Sequence, residues 1–204
     1  MTEAPVTTRD IARAAVRERL ARVAVEFFRK EGFDRVTASE VAEAAGVSRS
    51  TFLRYFGTKE EAVLSAFESN YGDAVAVLRA RPLDEDAWTA LRHAMVALIR
   101  PYYDSVADSL ALARLIDESA ALRARRLEMM SRWRDILAGV LAERAGEPGE
   151  VTIGFLVLTA AAIDCVTIAV ERWTAVDGRV DLTDLLDEAL ATLAPRQTER
   201  LQSL

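Results

Sequence analysis

The sequence predicts an all-α protein, with an N-terminal three-helix head carrying a helix-turn-helix and a larger C-terminal helical bundle. Apolar residues recur at three- and four-residue spacing along most of the chain, with no convincing period-two strand and no internal repeat. Helix-start signals such as Thr37-x-x-Glu40 and Thr58-x-x-Glu61 precede those apolar rows, and Gly32, Gly46 and Pro82 close them. At 204 residues and 51% hydrophobic composition, the chain is long and apolar enough for a small head and a larger core. The expected division is a helix-turn-helix domain over 1–56 and a larger helical domain over 57–204.

The first helix is expected from about Asp10 to Glu31, with Leu20, Val23, Ala24, Phe27 and Phe28 as its apolar row. Two short helices follow within residues 37–59. Thr37 caps the first, with Glu40 completing a capping box, and Gly46 supplies the left-handed turn that ends it. Ser48 opens the second, which presents Arg49, Ser50, Thr51, Arg54 and Tyr55 while Phe52 and Phe56 turn inward. A long helix then starts at Thr58 and runs through Leu64, Tyr71 and Leu78 to Pro82. Asp84 is expected to cap the next, which carries Trp88, Leu91, Met95 and Ile99 and breaks near Pro101. Further helices are expected over about 106–118, 121–145, 150–174 and 182–193. Val176-Asp177-Gly178 forms the last turn, and the tail from Pro195 frays.

A short helix whose first turn carries donors and a cation suits the major groove, where base edges and phosphates need such groups. Double-stranded DNA is therefore the first partner. The stretch resembles the DNA-binding domain of TetR-family transcriptional regulators at Phe28, Gly32, Phe33, Thr37, Val41, Ala42, Ala45, Gly46, Val47, Ser48, Thr51, Tyr55, Phe56 and Lys59. It departs at Leu53, where most members carry a phosphate-binding Tyr, and at Ser50, where Gly is usual. The resemblance implies that Thr37, Ser48, Tyr55 and Lys59 fix the head on phosphates. Arg49, Ser50 and Thr51 are the candidates for base edges. The phosphate contact that Leu53 cannot make is either lost or supplied by a neighbour such as Arg54. A helical binding or interaction module whose head does not read DNA is the alternative.

Net charge is −6, but residues 1–72 carry eleven Lys/Arg against eleven Asp/Glu, so the acidity lies outside the head. Arg9, Arg13 and Arg17 form a basic stripe four residues apart, either a solvated face or an extension to phosphate. Cys165 is the single cysteine, which excludes an intrachain disulfide and a thiolate metal cluster. The opening MTEAPVTTRD lacks the apolar run of a signal peptide, so a cytoplasmic protein is expected. Residues 151–170 are long enough to span a bilayer, but Asp164 and the many Ala and Thr point to a helix buried on most sides. No membrane partner is expected.

No nucleophile elbow, phosphate-binding loop, metal-ligand spacing or cofactor fingerprint is present, so neither an enzyme nor a cofactor is expected. His93, the single histidine, reads first as a structural or pocket-lining group. Asp164 lies within the most apolar helix and, if buried, requires a partner such as an Arg across a helix interface. Met129, Met130 and Trp133 are ordinary core or pocket lining. The stretch from Arg114 to Arg144 resembles C-terminal domains of actinobacterial TetR-type regulators assigned an acyl-CoA-like ligand. The cues are Glu118-Ser119, Leu122-Arg123, a Leu-Ala-Glu-Arg ending and Trp173. The resulting effector candidates are His93, Arg114, Met130, Trp133 and Asp164. Small residues including Gly154 and Ala160–Ala162 permit close helix approach, and the family resemblance implies a homodimer through the last two long helices, about 151–174 and 182–193. Two heads so paired fit a palindromic operator, with a small-molecule effector releasing it as from a repressor.

Overall fold

The structure is a computed structural model and describes residues 7–193. The tail from Pro195, expected to fray, lies outside them. Nine α-helices occur among the described residues: α1 (Thr8–Glu31), α2 (Ala38–Ala44), α3 (Arg49–Phe56), α4 (Lys59–Ala80), α5 (Ala87–Ile99), α6 (Val106–Glu118), α7 (Ala120–Arg144), α8 (Ile153–Ala175) and α9 (Leu182–Leu193). Two 3-10 turns, Phe33–Arg35 and Arg100–Tyr103, sit after α1 and α5, and no strand occurs among the described residues. The second turn occupies the break expected at Pro101, where a helix interior would lose a hydrogen bond and clash with the ring.

The chain forms two compact units. One holds the described residues up to Ser69 together with Ala111–Leu127. Its core is a row on α1 (Leu20, Ala24, Phe28) against Val41, Phe52 and Phe56, all buried. The first helix therefore covers the helix-turn-helix from behind, as its spacing predicts, and α2 packs on both α1 and α3. Phe52 and Phe56 face each other with ring centroids 5.0 Å apart, and Phe28 and Phe33 are 4.8 Å apart.

The other unit holds Asn70–Leu110 and the described residues from Glu128 onward. There α5, α8 and α9 pack mutually around Leu91, Met95, Ala162, Val166, Leu182 and Leu186. Asp86, two residues beyond the expected Asp84, caps α5: its carboxylate accepts the Thr89 amide at 3.0 Å. The Thr89 hydroxyl and that amide hold the Asp86 carboxyl below its ordinary value. Sequence alone does not separate the two aspartates, because both precede the apolar row.

Within the same unit, Arg144 closes the end of α4. Its guanidinium donates to the carbonyls of Leu78 at 3.1 Å, Arg81 at 2.6 Å and Pro82 at 2.7 Å. Leu78 is in the last turn of α4 and Arg81 and Pro82 lie just past it, where a cation meets the negative end of the helix dipole. Arg144→Ala is expected to lower stability by about 2–3 kcal/mol, since the charged hydrogen bonds to these three carbonyls disappear. Arg144→Lys should restore less than half, because one ammonium cannot reproduce the fork. Urea denaturation midpoints of the three proteins check this.

The helix expected to be buried on most sides is open along one face. α8 has a mean hydropathy of 2.3 over its most apolar stretch, yet only 39% of that stretch is buried. Thr159, Ala162, Cys165 and Trp173 face inward, while Ile153 is 81% exposed, Val157 60% and Ile168 58%. Asp164 lies on the open side too, so the expected buried carboxylate with an Arg partner is not found. Both faces are apolar, which conceals the amphipathic period in the sequence.

Candidate nucleic-acid interface

The turn between α2 and α3 is set by local chemistry. The Thr37 amide and hydroxyl both donate to the Glu40 carboxylate, at 2.8 and 2.7 Å, and the Glu40 amide donates back to the Thr37 hydroxyl at 3.3 Å. This is the capping box expected from the sequence. The Thr37 backbone amide, followed by its hydroxyl, holds the Glu40 carboxyl below its ordinary value. The cap therefore contributes fully above the ordinary carboxylate range and is lost as pH falls through the depressed value. Gly46 has φ +71°, the left-handed conformation that ends α2 without a Cβ penalty.

Ser48 caps α3: its hydroxyl accepts the Thr51 amide at 3.1 Å and donates to the Thr51 hydroxyl at 3.0 Å. Its Oγ also lies 3.1 Å from the Ser50 Oγ, making a chain of three hydroxyls at the helix start. Arg49, Ser50 and Arg54 are exposed; Thr51 and Tyr55 are half-buried. The fully buried Phe52 pins the face opposite Ser50 and Arg54. The structure thus brings Ser48, Arg49, Ser50, Thr51, Arg54 and Tyr55 together on one capped helix. Thr37 sits at the start of α2, with its hydroxyl engaged in the cap.

Lys59 differs from its expected position. Its ammonium donates to the carbonyls of Phe33 and Val36, both at 2.8 Å, and lies 4.2 Å from the Phe33 ring centroid. Two of its three donors are therefore spent inside the head, and the ammonium is turned inward. The amides at the start of α4 remain the dipole-favoured end for a phosphate. Thr58 caps α4 through the Glu61 amide at 3.1 Å, but the second half of the expected capping box is missing. The Glu61 carboxylate instead accepts a hydrogen bond from Arg125.

The basic stripe on α1 also divides. Arg9 and Arg13 are exposed, whereas Arg17 donates to the Tyr55 carbonyl at 3.4 Å and lies 5.4 Å from the Phe56 ring centroid. Arg17 locks α1 to the end of α3. Sequence reasoning missed this and the inward Lys59, because the partners include carbonyls 23 to 38 residues away.

The effector candidates fall on four helices. His93 is on α5, with Nε2 3.8 Å from a carboxylate oxygen of Glu85. Arg81 donates to that same carboxylate and holds it below its ordinary value. Met130 and Trp133 are on α7, and Trp133 stacks on Tyr71 with centroids 4.6 Å apart and planes 10° apart. Asp164 is exposed on α8 beside the buried Cys165. Burial, and secondarily Asp164, pushes that thiol above its ordinary value, which disfavours the reactive thiolate. Arg114 is exposed on α6, in the other compact unit, where it lines a groove with Arg29, Arg35, Asp34 and Glu118. The groove does not include the other four candidates.

Two family profiles match the chain. That of the bacterial regulatory proteins of the tetR family covers residues 20–66, and that of the MftR C-terminal domain covers 85–198. The chain is 29% identical to the HTH-type transcriptional regulator TcmR of Streptomyces glaucescens over 136 residues, 64% of this chain and 60% of TcmR. It is 27% identical over 179 residues to a Mycobacterium tuberculosis protein named as a mycofactocin biosynthesis transcriptional regulator, MftR, covering 87% and 88% of the two chains. Among solved structures it is similar to Thermus thermophilus FadR, a TetR-family transcriptional repressor in complex with lauroyl-CoA. Identity is 25%, the TM-score is 0.55, and 87% of this chain and 92% of FadR are covered.

Proposed function

Because the chain belongs to the TetR family of bacterial regulatory proteins, we propose that it represses by holding a palindromic operator as a homodimer and lets go when a small effector binds. It is a DNA-binding transcriptional regulator, and its relatives are regulators rather than enzymes. The division of labour places DNA reading in 1–56 and effector binding and dimerisation in 57–204, in the cytoplasm where the DNA lies. One observation carries the DNA reading: α3 is capped at Ser48, anchored by the buried Phe52, and exposes Arg49, Ser50 and Arg54 along its outer face. Arg49 is the specificity residue, since a bidentate Arg–guanine pair discriminates by about 1–3 kcal/mol.

Arg49→Ala is expected to relax preference at one base position of each half-site by that amount, leaving affinity for unrelated DNA nearly unchanged. Binding titrations on the operator and its single-base variants check it. Equal discrimination by wild type and variant would remove Arg49 from the base contacts. Lys59→Ala is expected to weaken all sequences alike, because it loosens the segment Phe33–Val36 and the start of α4 rather than a base contact.

The homodimer reading is supported by the open apolar face of α8, with α9 alongside it. The small Ala160 and Ala161 lie between Val157 and Ile168 and allow close approach of a partner helix. The effector is acyl-CoA-like, supported by the lauroyl-CoA complex of the similar FadR. The Tyr71–Trp133 stack offers an aromatic wall for an acyl chain, and His93 and Met130 are half-buried side chains of the same unit. The long helix α4 carries the change to the head. Inverting a 99:1 equilibrium needs roughly 5.5 kcal/mol of differential binding, so the effector must prefer the released state about ten-thousandfold.

A further inference from the structure

The groove beside the reading head has no part in the function above. Its lining comes from the C-terminal end of α1, the 3-10 turn Phe33–Arg35 and the last turns of α6, all within one compact unit. Its volume is about 400 Å³, within the range of small-molecule sites. The floor is the buried Phe28–Phe33 ring pair. Three arginines line it from three separate elements: Arg29 on α1, Arg35 on the turn and Arg114 on α6.

Two features fix this arrangement. Gly32 has φ +86°, and a Cβ there would come within 3.1 Å of two Arg35 guanidinium nitrogens. Arg35 thus lies across Gly32 in a position that a side chain would obstruct. Ser119, only 2% exposed, donates to the Asp34 carboxylate at 2.8 Å, which joins the turn to the start of α7. Asp34 and Glu118 are the groove's acids, so its cations outnumber them by one.

We infer that this groove is a binding site for a phosphorylated small molecule of about nucleotide size. Planar, permanently charged guanidiniums match phosphate oxygens in bidentate geometry, and placement on three elements lets one phosphate group bridge them. Asp34 and Glu118 provide acceptors for hydroxyl or amino groups on the rest of the ligand. The phosphate is the recognised group, and the acids exclude a second like charge beside them.

Occupation reaches the helix-turn-helix through the turn itself. Arg35 belongs to the turn whose Phe33 carbonyl holds Lys59, and Val36, the other Lys59 acceptor, directly precedes the Thr37 cap of α2. A ligand that draws Arg35 toward Arg114 therefore shifts the residues that hold both α2 and α4. This coupling rests on α3 being the reading helix; binding in the groove does not.

The test is calorimetric titration of the full-length protein with ADP, adenosine and orthophosphate, followed by operator titration with and without saturating ADP. ADP is expected to bind with Kd below about 1 mM and at least about tenfold tighter than adenosine, with orthophosphate between them. Arg35→Gln combined with Arg114→Gln should weaken ADP at least about tenfold, and single Arg114→Gln by a smaller factor. Arg132→Gln, an exposed charge on α7 outside the groove, should leave it unchanged. Thermal midpoints confirm that each variant is folded. ADP no tighter than adenosine, or undiminished in Arg114→Gln and the double variant, would overturn the site. ADP binding that leaves operator affinity within about twofold would overturn the coupling while DNA reading stood.

Discussion

Phe52→Ala is expected to destabilise the head by about 3–5 kcal/mol and to abolish specific DNA binding. The ring is fully buried, 5.0 Å from Phe56, on the face of α3 opposite Ser50 and Arg54. An α3 of eight residues is too short to persist alone, since isolated helices below about 12 residues are marginal in water. Its orientation is therefore held by Phe52, Phe56 and the Ser48 cap, and loss of the largest anchor releases the polar face. Phe52→Leu should retain more than half the stability, because much of the volume is kept. The head is a minor part of the chain, so helical content by circular dichroism should fall little while operator binding vanishes. Operator affinity within a few-fold of wild type in Phe52→Ala would show that α3 is not what reads DNA.

Val157→Glu combined with Ile168→Glu is expected to convert the dimer to monomer and to weaken operator binding by about 10²-fold or more, the usual gain from linking two binding modules. Both residues are mostly exposed on the open face of α8, so the charges meet water in the monomer and strain nothing there. In a dimer built on that face they would bury four carboxylates without partners, a cost of several kcal/mol. Sedimentation equilibrium and operator titration on the same samples separate assembly from reading. A double variant that remains dimeric would place the interface elsewhere.

The head is legible in the sequence because its signals are local. Thr37 and Glu40 are three residues apart, Ser48 caps the next helix within three, and Gly46 supplies the one left-handed turn between them. Helix order and the aromatic anchors follow from spacing. What the sequence hides depends on distant partners. Lys59 reads as a phosphate ligand, but its ammonium is drawn to carbonyls near Phe33. Glu61 reads as half of a cap, but Arg125 competes for its carboxylate and prevails. Asp164 reads as buried because its neighbours are apolar, yet exposure depends on which face the α5 and α9 helices cover. The Ser119–Asp34 bond spans 85 residues and leaves no local trace.

Selection of bound sequences from a random DNA pool with the full-length protein tests the central claim most directly. Two half-sites related by a two-fold axis and separated by about 10 base pairs, one helical turn, are expected. Repeating the selection with Arg49→Ala should give the same palindrome with one position per half-site relaxed. No enriched sequence, or a single unpaired half-site, would contradict a dimeric head reading DNA through α3.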